Sequence, residues 1–247
     1  MVKQNSKSIS KIIEDRINNL QPGKIITYDD FDLPKDAAIA LAKSLSRLVK
    51  CGELVRLSKG KFYKPKESVF GSLKPAEKEL VKDLIMDNNT VIGYVTGTAL
   101  FNRMGLTTQI PNEYTIATNK EKKAIQREGI KIRFIKQENR IYRKNIKYLQ
   151  LLDAIRDLKN IPGGNIDEIC RLIRNMINDL SDDEKQRLVK LALKYNPSTR
   201  ALTGAFLDSV NSGDITNNLK KSLNPLTMFE LGIDESILPT KSYWLIK

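Results

Sequence analysis

A segment near the N-terminus carries residue types that could contact a nucleic acid. Lys and Arg side chains neutralise phosphates, and Ser and Arg side chains form hydrogen bonds with base edges. In residues 35–50 such side chains alternate with apolar ones at helical spacing. The candidate DNA contacts on this segment are Lys35, Lys43, Ser44, Arg47 and Lys50, and those on the next segment are Arg56, Lys59 and Lys61. The pattern predicts binding of phosphates and base edges.

The residue types needed for most catalytic chemistry are missing. The chain has no histidine, which excludes Ser-His-Asp and Cys-His nucleophiles and removes the commonest general base. Cys51 and Cys170 are far apart in the sequence and suggest neither a disulfide nor a zinc site. Residues 93–97 contain two glycines but neither a Walker A lysine nor the three-glycine dinucleotide pattern. We therefore expect no cofactor, no metal and no enzyme activity.

Positive charge is concentrated in the first part of the chain. The net charge is +13 over 247 residues. Residues 1–66 hold 14 Lys and Arg against 7 Asp and Glu, residues 67–150 hold 15 against 9, and residues 151–247 hold 13 of each. A basic N-terminal part and a neutral C-terminal part favour a polyanion-binding module followed by a region with a different function.

The elements that would position the basic residues are three helices. Apolar residues at helical spacing predict a first helix over 8–20 that ends at Pro22-Gly23. Thr27 is placed as the N-cap of a short second helix. A long amphipathic helix is then predicted over 35–50, and Gly52 suits its left-handed C-cap.

A basic β-hairpin follows the third helix. Residues 53–57 and 61–64 read as two strands, and Gly60 makes a tight turn between them. Three helices followed by such a hairpin is the order of a winged helix-turn-helix, in which the third helix enters the major groove and the hairpin lies along the backbone. The sequence thus predicts a DNA-binding domain over 1–66.

The middle of the chain predicts a mixed α/β domain over 74–150. Residues 113–117 and 130–135 alternate as strands do, and an extended piece turns at Gly97 into a short helix that ends at Gly105. A metal-dependent nuclease would need clustered carboxylates on adjacent strands, but Glu113 is alone on its strand.

Residues 151–247 predict a helical region. Apolar residues recur at helical spacing from Tyr148 onward, and Ser181 with Glu184 forms a capping-box pattern. The region is predicted either as a module of its own or as the completion of the middle domain's core, and the tail with Trp244 docks on the body or on a partner. The expected fold class is α+β, with a winged helix-turn-helix, a mixed α/β domain and a helical C-terminal region.

Residues 44–65 resemble the helix and wing of AbiEi-type antitoxins, the transcriptional regulators of abortive-infection toxin–antitoxin pairs. The run Leu-Ser-Arg-Leu ends the helix, a glycine turn follows, and an Arg-bearing strand precedes a Gly-Xaa-Tyr strand. The matching positions are Arg47, Gly52, Arg56, Gly60 and Tyr63. Residues 91–118 resemble the second domain of the same family, independently of the wing.

The resemblance implies a function that the residues alone do not. It implies repression of the chain's own operon at inverted repeats in double-stranded DNA, with a homodimer as one arrangement. It also implies neutralisation, direct or indirect, of a nucleotidyltransferase-like toxin encoded beside it.

Two alternatives stay open at this point. One is a metal-dependent nuclease or nucleic-acid-modifying enzyme that the winged helix targets, with Glu113 as the residue to test. The other is a scaffold that uses the winged helix for protein contacts. No apolar stretch of about eighteen residues and no apolar N-terminal segment occurs, so the predicted location is the cytoplasm, with no membrane partner.

Overall fold

The computed structural model describes residues 9–31, 33–69, 71–73, 75–87, 89–210 and 213–247. By the packing of the chain, these residues form two compact units. The first unit runs up to Asp83 and includes Gln126–Gly129, and the second comprises Leu84–Ile125 and Ile130–Lys247. Within these ranges, no helix has the length and apolar character needed to cross a membrane.

The first unit has the winged-helix order of elements. It contains α1 (Ile9–Asn18), β1 (Ile25–Thr27), α2 (Ala38–Lys50), β2 (Val55–Ser58), β3 (Lys61–Tyr63), β4 (Lys66–Ser68), β5 (Gly71–Leu73) and most of α3 (Glu77–Ile85). β3 pairs antiparallel with both β1 and β2, which gives a small sheet of order β1-β3-β2. The predicted fold class, α+β with an N-terminal winged helix, is confirmed.

Apolar residues at helical spacing pack α1 against α2. Ile13 and Ile17 of α1 are buried, as are Leu41, Leu45 and Leu48 of α2. Residues at these intervals lie on one face of a helix. Phe31, Leu54 and Phe62 complete this core. The opposite face of α2 is left to the solvent.

The short second helix predicted after Thr27 is a turn of 3₁₀ helix, Tyr28–Phe31. Thr27 donates instead of accepting: its N–H and its Oγ1 lie 2.6 and 2.9 Å from Asp30 Oδ2. The Asp30 carboxylate accepts from both Thr27 donors, and hydrogen bonds to an ionised acceptor are stronger than neutral ones. The long helix also starts later than predicted, at Ala38, after a 3₁₀ turn that includes Lys35.

Two glycines shape the region between α2 and β3. Gly52 follows the helix with φ of +81° and its N–H donates to the Val49 carbonyl. Gly60 has φ of +74° at the turn between β2 and β3. Both values lie in the left-handed region that glycine adopts without strain. The predicted C-cap and hairpin turn are therefore found in the structure.

The second unit is built on a mixed sheet. Its elements include β6 (Met86–Asp87), β7 (Thr90–Val91), β8 (Gly93–Thr96), α4 (Thr98–Arg103), β9 (Glu113–Thr118), the first residue of β10 (Ile125–Arg127) and β11 (Ile130–Lys136). Within this unit, β9 pairs with β11 in parallel and with β8 antiparallel. The predicted strands at 113–117 and 130–135 are β9 and β11. Gly97 and Gly105 bracket α4 as expected, both with positive φ.

Several helices follow the sheet in the second unit. They are α5 (Ile146–Arg156), α6 (Ile166–Asn178), α7 (Asp182–Ala192), α8 (Pro197–Ser209) and α9 (Asn217–Lys221). Ser181 and Glu184 form the predicted capping box at the start of α7. One hydrophobic core contains residues from the sheet, from these helices and from the tail. The helices and the tail thus share one core with the sheet.

The tail packs on α8 through Trp244. This side chain is fully buried, and its Nε1–H donates to Asp208 Oδ2 at 2.7 Å. The indole lies over Gly204, where an added Cβ would come within 2.2 Å of the ring. Of the two predicted dockings for the tail, the structure shows the one on the body of the chain.

Candidate nucleic-acid interface

The exposed face of α2 presents a row of polar and basic side chains. Lys43, Ser46, Arg47 and Lys50 are exposed on it and line one shallow depression. Intervals of three and four residues put these positions on one side of the helix. Their placement follows from the burial of Leu41, Leu45 and Leu48 on the other side.

Ser44, a predicted DNA contact, does not belong to this row. It is half-buried and lies outside the depression. Ser46 is the serine that shares the face with Lys43 and Lys50, as a count of helical intervals from either lysine would have shown. The side chain of Lys35 lies outside the described part of the chain.

The row of α2 continues into an apolar patch toward the start of the helix. Ala38 and Ile39 are exposed, Ala42 is half-buried, and all three line the same depression. Apolar residues on an amphipathic helix are expected to face the core, so residue type alone does not place these three on the exposed face. The exposed face of α2 is therefore basic in its second half and apolar in its first.

The cations of this face differ in how they are paired. The Arg47 guanidinium lies 2.7 Å from Glu14 Oε1 of α1, with both side chains about half exposed or more. Among the described residues, none forms an ion pair with Lys43 or Lys50. These two lysines keep their full charge toward the solvent, whereas that of Arg47 is partly offset by Glu14.

The hairpin of β2 and β3 carries one exposed cation at its turn, Lys59, and one in its first strand, Arg56. Lys59 is exposed, next to Gly60, and the ring of Tyr28 packs over that glycine at 3.3 Å from the position of an added Cβ. Tyr28 also makes an edge contact with Phe62, at 5.9 Å between ring centroids. The packing of Tyr28 against Gly60 and Phe62 thus holds the turn that carries Lys59 in place. Arg56 on β2 is exposed and donates from Nε to the Ser58 carbonyl at 3.4 Å.

Lys61 is engaged inside the first unit. Its ammonium forms an ion pair with Asp83, which also accepts two hydrogen bonds from Arg127 at 2.6 and 2.9 Å. Burial raises the pKa of Asp83, but the hydrogen bonds and charges of Arg127 and Lys61 outweigh it and lower that pKa below its usual value. The structure therefore gives Lys61 an internal carboxylate partner. The sequence could not reveal this pair, because Asp83 is far along the chain.

A different polar centre lies buried in the second unit around Asp153. Its side chain has no exposed surface and accepts hydrogen bonds at 2.8–2.9 Å. The donors are Tyr94, Thr96, Tyr195 and Arg156. Four donors fill the acceptor sites of a carboxylate. Burial raises the pKa of Asp153, and the Arg156 charge opposes that effect.

Gln137 completes this centre. Its amide Nε2 donates to the hydroxyl oxygens of both Tyr94 and Tyr195 at 2.8 Å, so each tyrosine is free to give its proton to Asp153. Burial, and then the Asp153 charge, raises the pKa of both tyrosines. The arrangement is a saturated hydrogen-bond network, and its role is to join the sheet to the helices.

A polar cleft of about 430 Å³ lies beside this network in the second unit. Its three cations are all paired: Arg133 with Glu113, Lys136 with Glu138, and Arg156 with Asp153. Glu113, on which the nuclease alternative depends, is thus held by an arginine. In the described ranges, no group of three or more Cys, Asp or Glu residues is arranged to hold a metal ion.

The fold and the face of α2 define an α+β protein with an N-terminal winged helix. The chain belongs to the family DUF6088, a family of unknown function, whose model matches residues 12–195. The matched range includes α2, the hairpin and the second unit as far as Tyr195. A comparison with curated proteins finds no match.

A solved structure with a similar fold is that of the Rv2827c protein from Mycobacterium tuberculosis. The TM-score is 0.55 at 13% sequence identity, and the superposition covers 89% of this chain and 83% of that chain. At this identity the similarity concerns the fold alone. It extends across both units of the present chain.

Proposed function

We propose that this chain is a DNA-binding transcriptional regulator that places α2 in the major groove and the β2–β3 hairpin along the backbone. The observation that carries the proposal is the exposed row of Lys43, Ser46, Arg47 and Lys50 on α2. Winged helices use the corresponding helix for the groove and the hairpin for phosphates. The basic first part of the chain supplies the charge that such binding requires.

The spacing of the cations on α2 suits the groove. Lys43 and Lys50 are seven residues apart, which corresponds to about 10.5 Å along a helix axis. The major groove is ~12 Å wide, and long lysine side chains from a helix inside it can reach the phosphates at its edges. Arg47 lies between the two lysines and can also reach a phosphate, and Ser46 can bond a base edge. Lys59 at the hairpin turn adds a contact outside the groove.

Neutralising single cations tests this proposal. We expect Arg47→Gln and Lys59→Gln each to weaken binding to a duplex and to reduce the slope of log K against log salt by about 0.9 per lost phosphate contact. Lys190→Gln, on an exposed position of α7 in the second unit, is the matched control and should leave affinity and slope unchanged. If all three substitutions weaken binding equally, or if none of them has an effect, α2 and the hairpin are not the DNA-binding surface.

We further propose that the chain acts as an antitoxin that represses its own operon at inverted repeats. The support is its resemblance to AbiEi-type antitoxins at residues 44–65 and 91–118. Inverted repeats imply two copies per operator, each reading one half-site. The partner would be a nucleotidyltransferase-like toxin encoded by the neighbouring gene.

The antitoxin proposal is tested by growth. Induction of the neighbouring gene alone should arrest growth, and co-expression of this chain should restore it. The variant with both Arg47→Gln and Lys59→Gln separates toxin neutralisation from DNA binding. Toxin transcribed from an unrelated promoter cannot be controlled through the operator, so this variant should restore growth as the wild-type chain does. Absence of any rescue by the wild-type chain would rule out the antitoxin role and leave DNA binding to be judged separately.

A further inference from the structure

An apolar side chain is exposed at the start of α2, next to the proposed DNA-contacting row. Ile39 is 71% exposed on the first turn of α2, and Ala38 and Ala42 extend its apolar surface. Such exposure opposes the usual burial of isoleucine. The core of the first unit does not use this side chain, since Leu41 and Leu45 face the opposite way.

The position of the patch on the helix indicates what it meets. In helix-turn-helix proteins, the first residues of the recognition helix contact the base edges. Ile39 and Ala42 therefore lie where bases are read, and the cations lie farther along α2. Of the groups that base pairs show in the major groove, the C5-methyl of thymine is the apolar one.

We propose that Ile39, assisted by Ala42, recognises thymine methyl groups and so gives α2 a preference for A·T pairs at the positions it faces. This inference rests on the proposed DNA binding and states which base pairs that binding prefers. The surroundings of the patch favour DNA over a protein partner. Lys43, Arg47 and Lys50 border it, and lysine is depleted in protein–protein contacts, whereas lysine and arginine match phosphates.

Deoxyuridine provides the direct test, because it pairs like thymine but lacks the methyl group. The probes are the duplex of the DNA upstream of the chain's own gene and the same duplex with deoxyuridine in place of thymine. Wild-type protein should bind the thymine duplex more tightly, by about fourfold for each methyl that is buried. Ile39→Ala should bind the thymine duplex more weakly and lose most of this discrimination.

Ile110→Ala is the matched control. Ile110 is an isoleucine with 86% exposure in the second unit, and its truncation should leave both affinities as they are. Size-exclusion chromatography with light scattering, run on wild type and Ile39→Ala, reports whether Ile39 instead holds two copies together.

Each outcome decides the inference. Loss of the thymine preference in Ile39→Ala alone supports it. Equal binding of both duplexes by the wild type overturns it while leaving DNA binding intact, and a change of oligomeric state with unchanged discrimination assigns Ile39 to self-association. Failure of the wild type to bind either duplex overturns the proposed function, and this inference with it.

Discussion

The ion pair between Glu14 and Arg47 competes with the proposed contact of Arg47 with DNA. Arg47 must leave Glu14 to reach a phosphate or a base, and the freed carboxylate then lies near a polyanion. Glu14→Gln keeps the shape of the side chain and removes its charge. We therefore expect Glu14→Gln to tighten DNA binding, which is a gain of function from a substitution that touches no DNA.

The size of the gain follows from the exposure of the pair. The side chains of Arg47 and Glu14 are 63% and 49% exposed, and exposed ion pairs are worth about 0.2–1 kcal/mol. Releasing that energy tightens binding about 1.4- to 5-fold, since 1.4 kcal/mol corresponds to about a factor of ten. Repulsion between Glu14 and phosphates adds to the effect at low salt, where charges are screened least.

Fluorescence anisotropy with one duplex at two salt concentrations measures this gain. Glu235→Gln, an exposed carboxylate of the second unit, controls for the change in net charge. A cycle with Arg47→Gln isolates the pair: in that background, Glu14→Gln should give a smaller gain. If Glu14→Gln leaves affinity unchanged or weakens it, Arg47 does not exchange its carboxylate for DNA, and the placement of α2 in the groove is wrong.

Two further predictions concern the second unit. Asp153→Asn should lower the free energy of unfolding by about 3–5 kcal/mol, because it leaves buried donors without a charged acceptor; a urea titration that shows less than about 1 kcal/mol would contradict the described network. Hydrogen bonds from Lys147, the Ser181 backbone and Tyr148 lower the pKa of Glu184 to about 2 from 4.5, so its stabilising effect is present above pH 4.5 and is lost as the pH falls toward 2. Thermal unfolding of wild type and Glu184→Gln should therefore show a difference in midpoint at pH 7 that closes over this range, and a constant difference would exclude Glu184 as its source.

Local sequence patterns predicted much of the fold. The burial of Leu41, Leu45 and Leu48 follows from helical spacing, and the turns at Gly52 and Gly60 follow from the conformational freedom of glycine. Helical spacing and glycine turns each involve only a few neighbouring residues, so both can be recognised without the tertiary structure.

Other features depend on residues that are distant in the sequence. Lys61 looked like a free cation of the hairpin, but its partner Asp83 lies beyond two further strands and in another helix.

Two further differences are local. Ser46, and not Ser44, lies three residues from Lys43 and four from Lys50, so helical intervals in the sequence distinguish the two serines. Thr27 has the residue type of an N-cap, yet its hydroxyl donates to the nearby Asp30 carboxylate.

The direct test of the central claim is an anisotropy titration of the wild-type chain. The probes are a duplex of the DNA upstream of its own gene and a scrambled duplex of equal composition, each at two salt concentrations. A sequence-specific regulator should prefer the upstream duplex by about a thousandfold or more. Equal affinity for both duplexes with a steep salt dependence, or no binding to either, would contradict it.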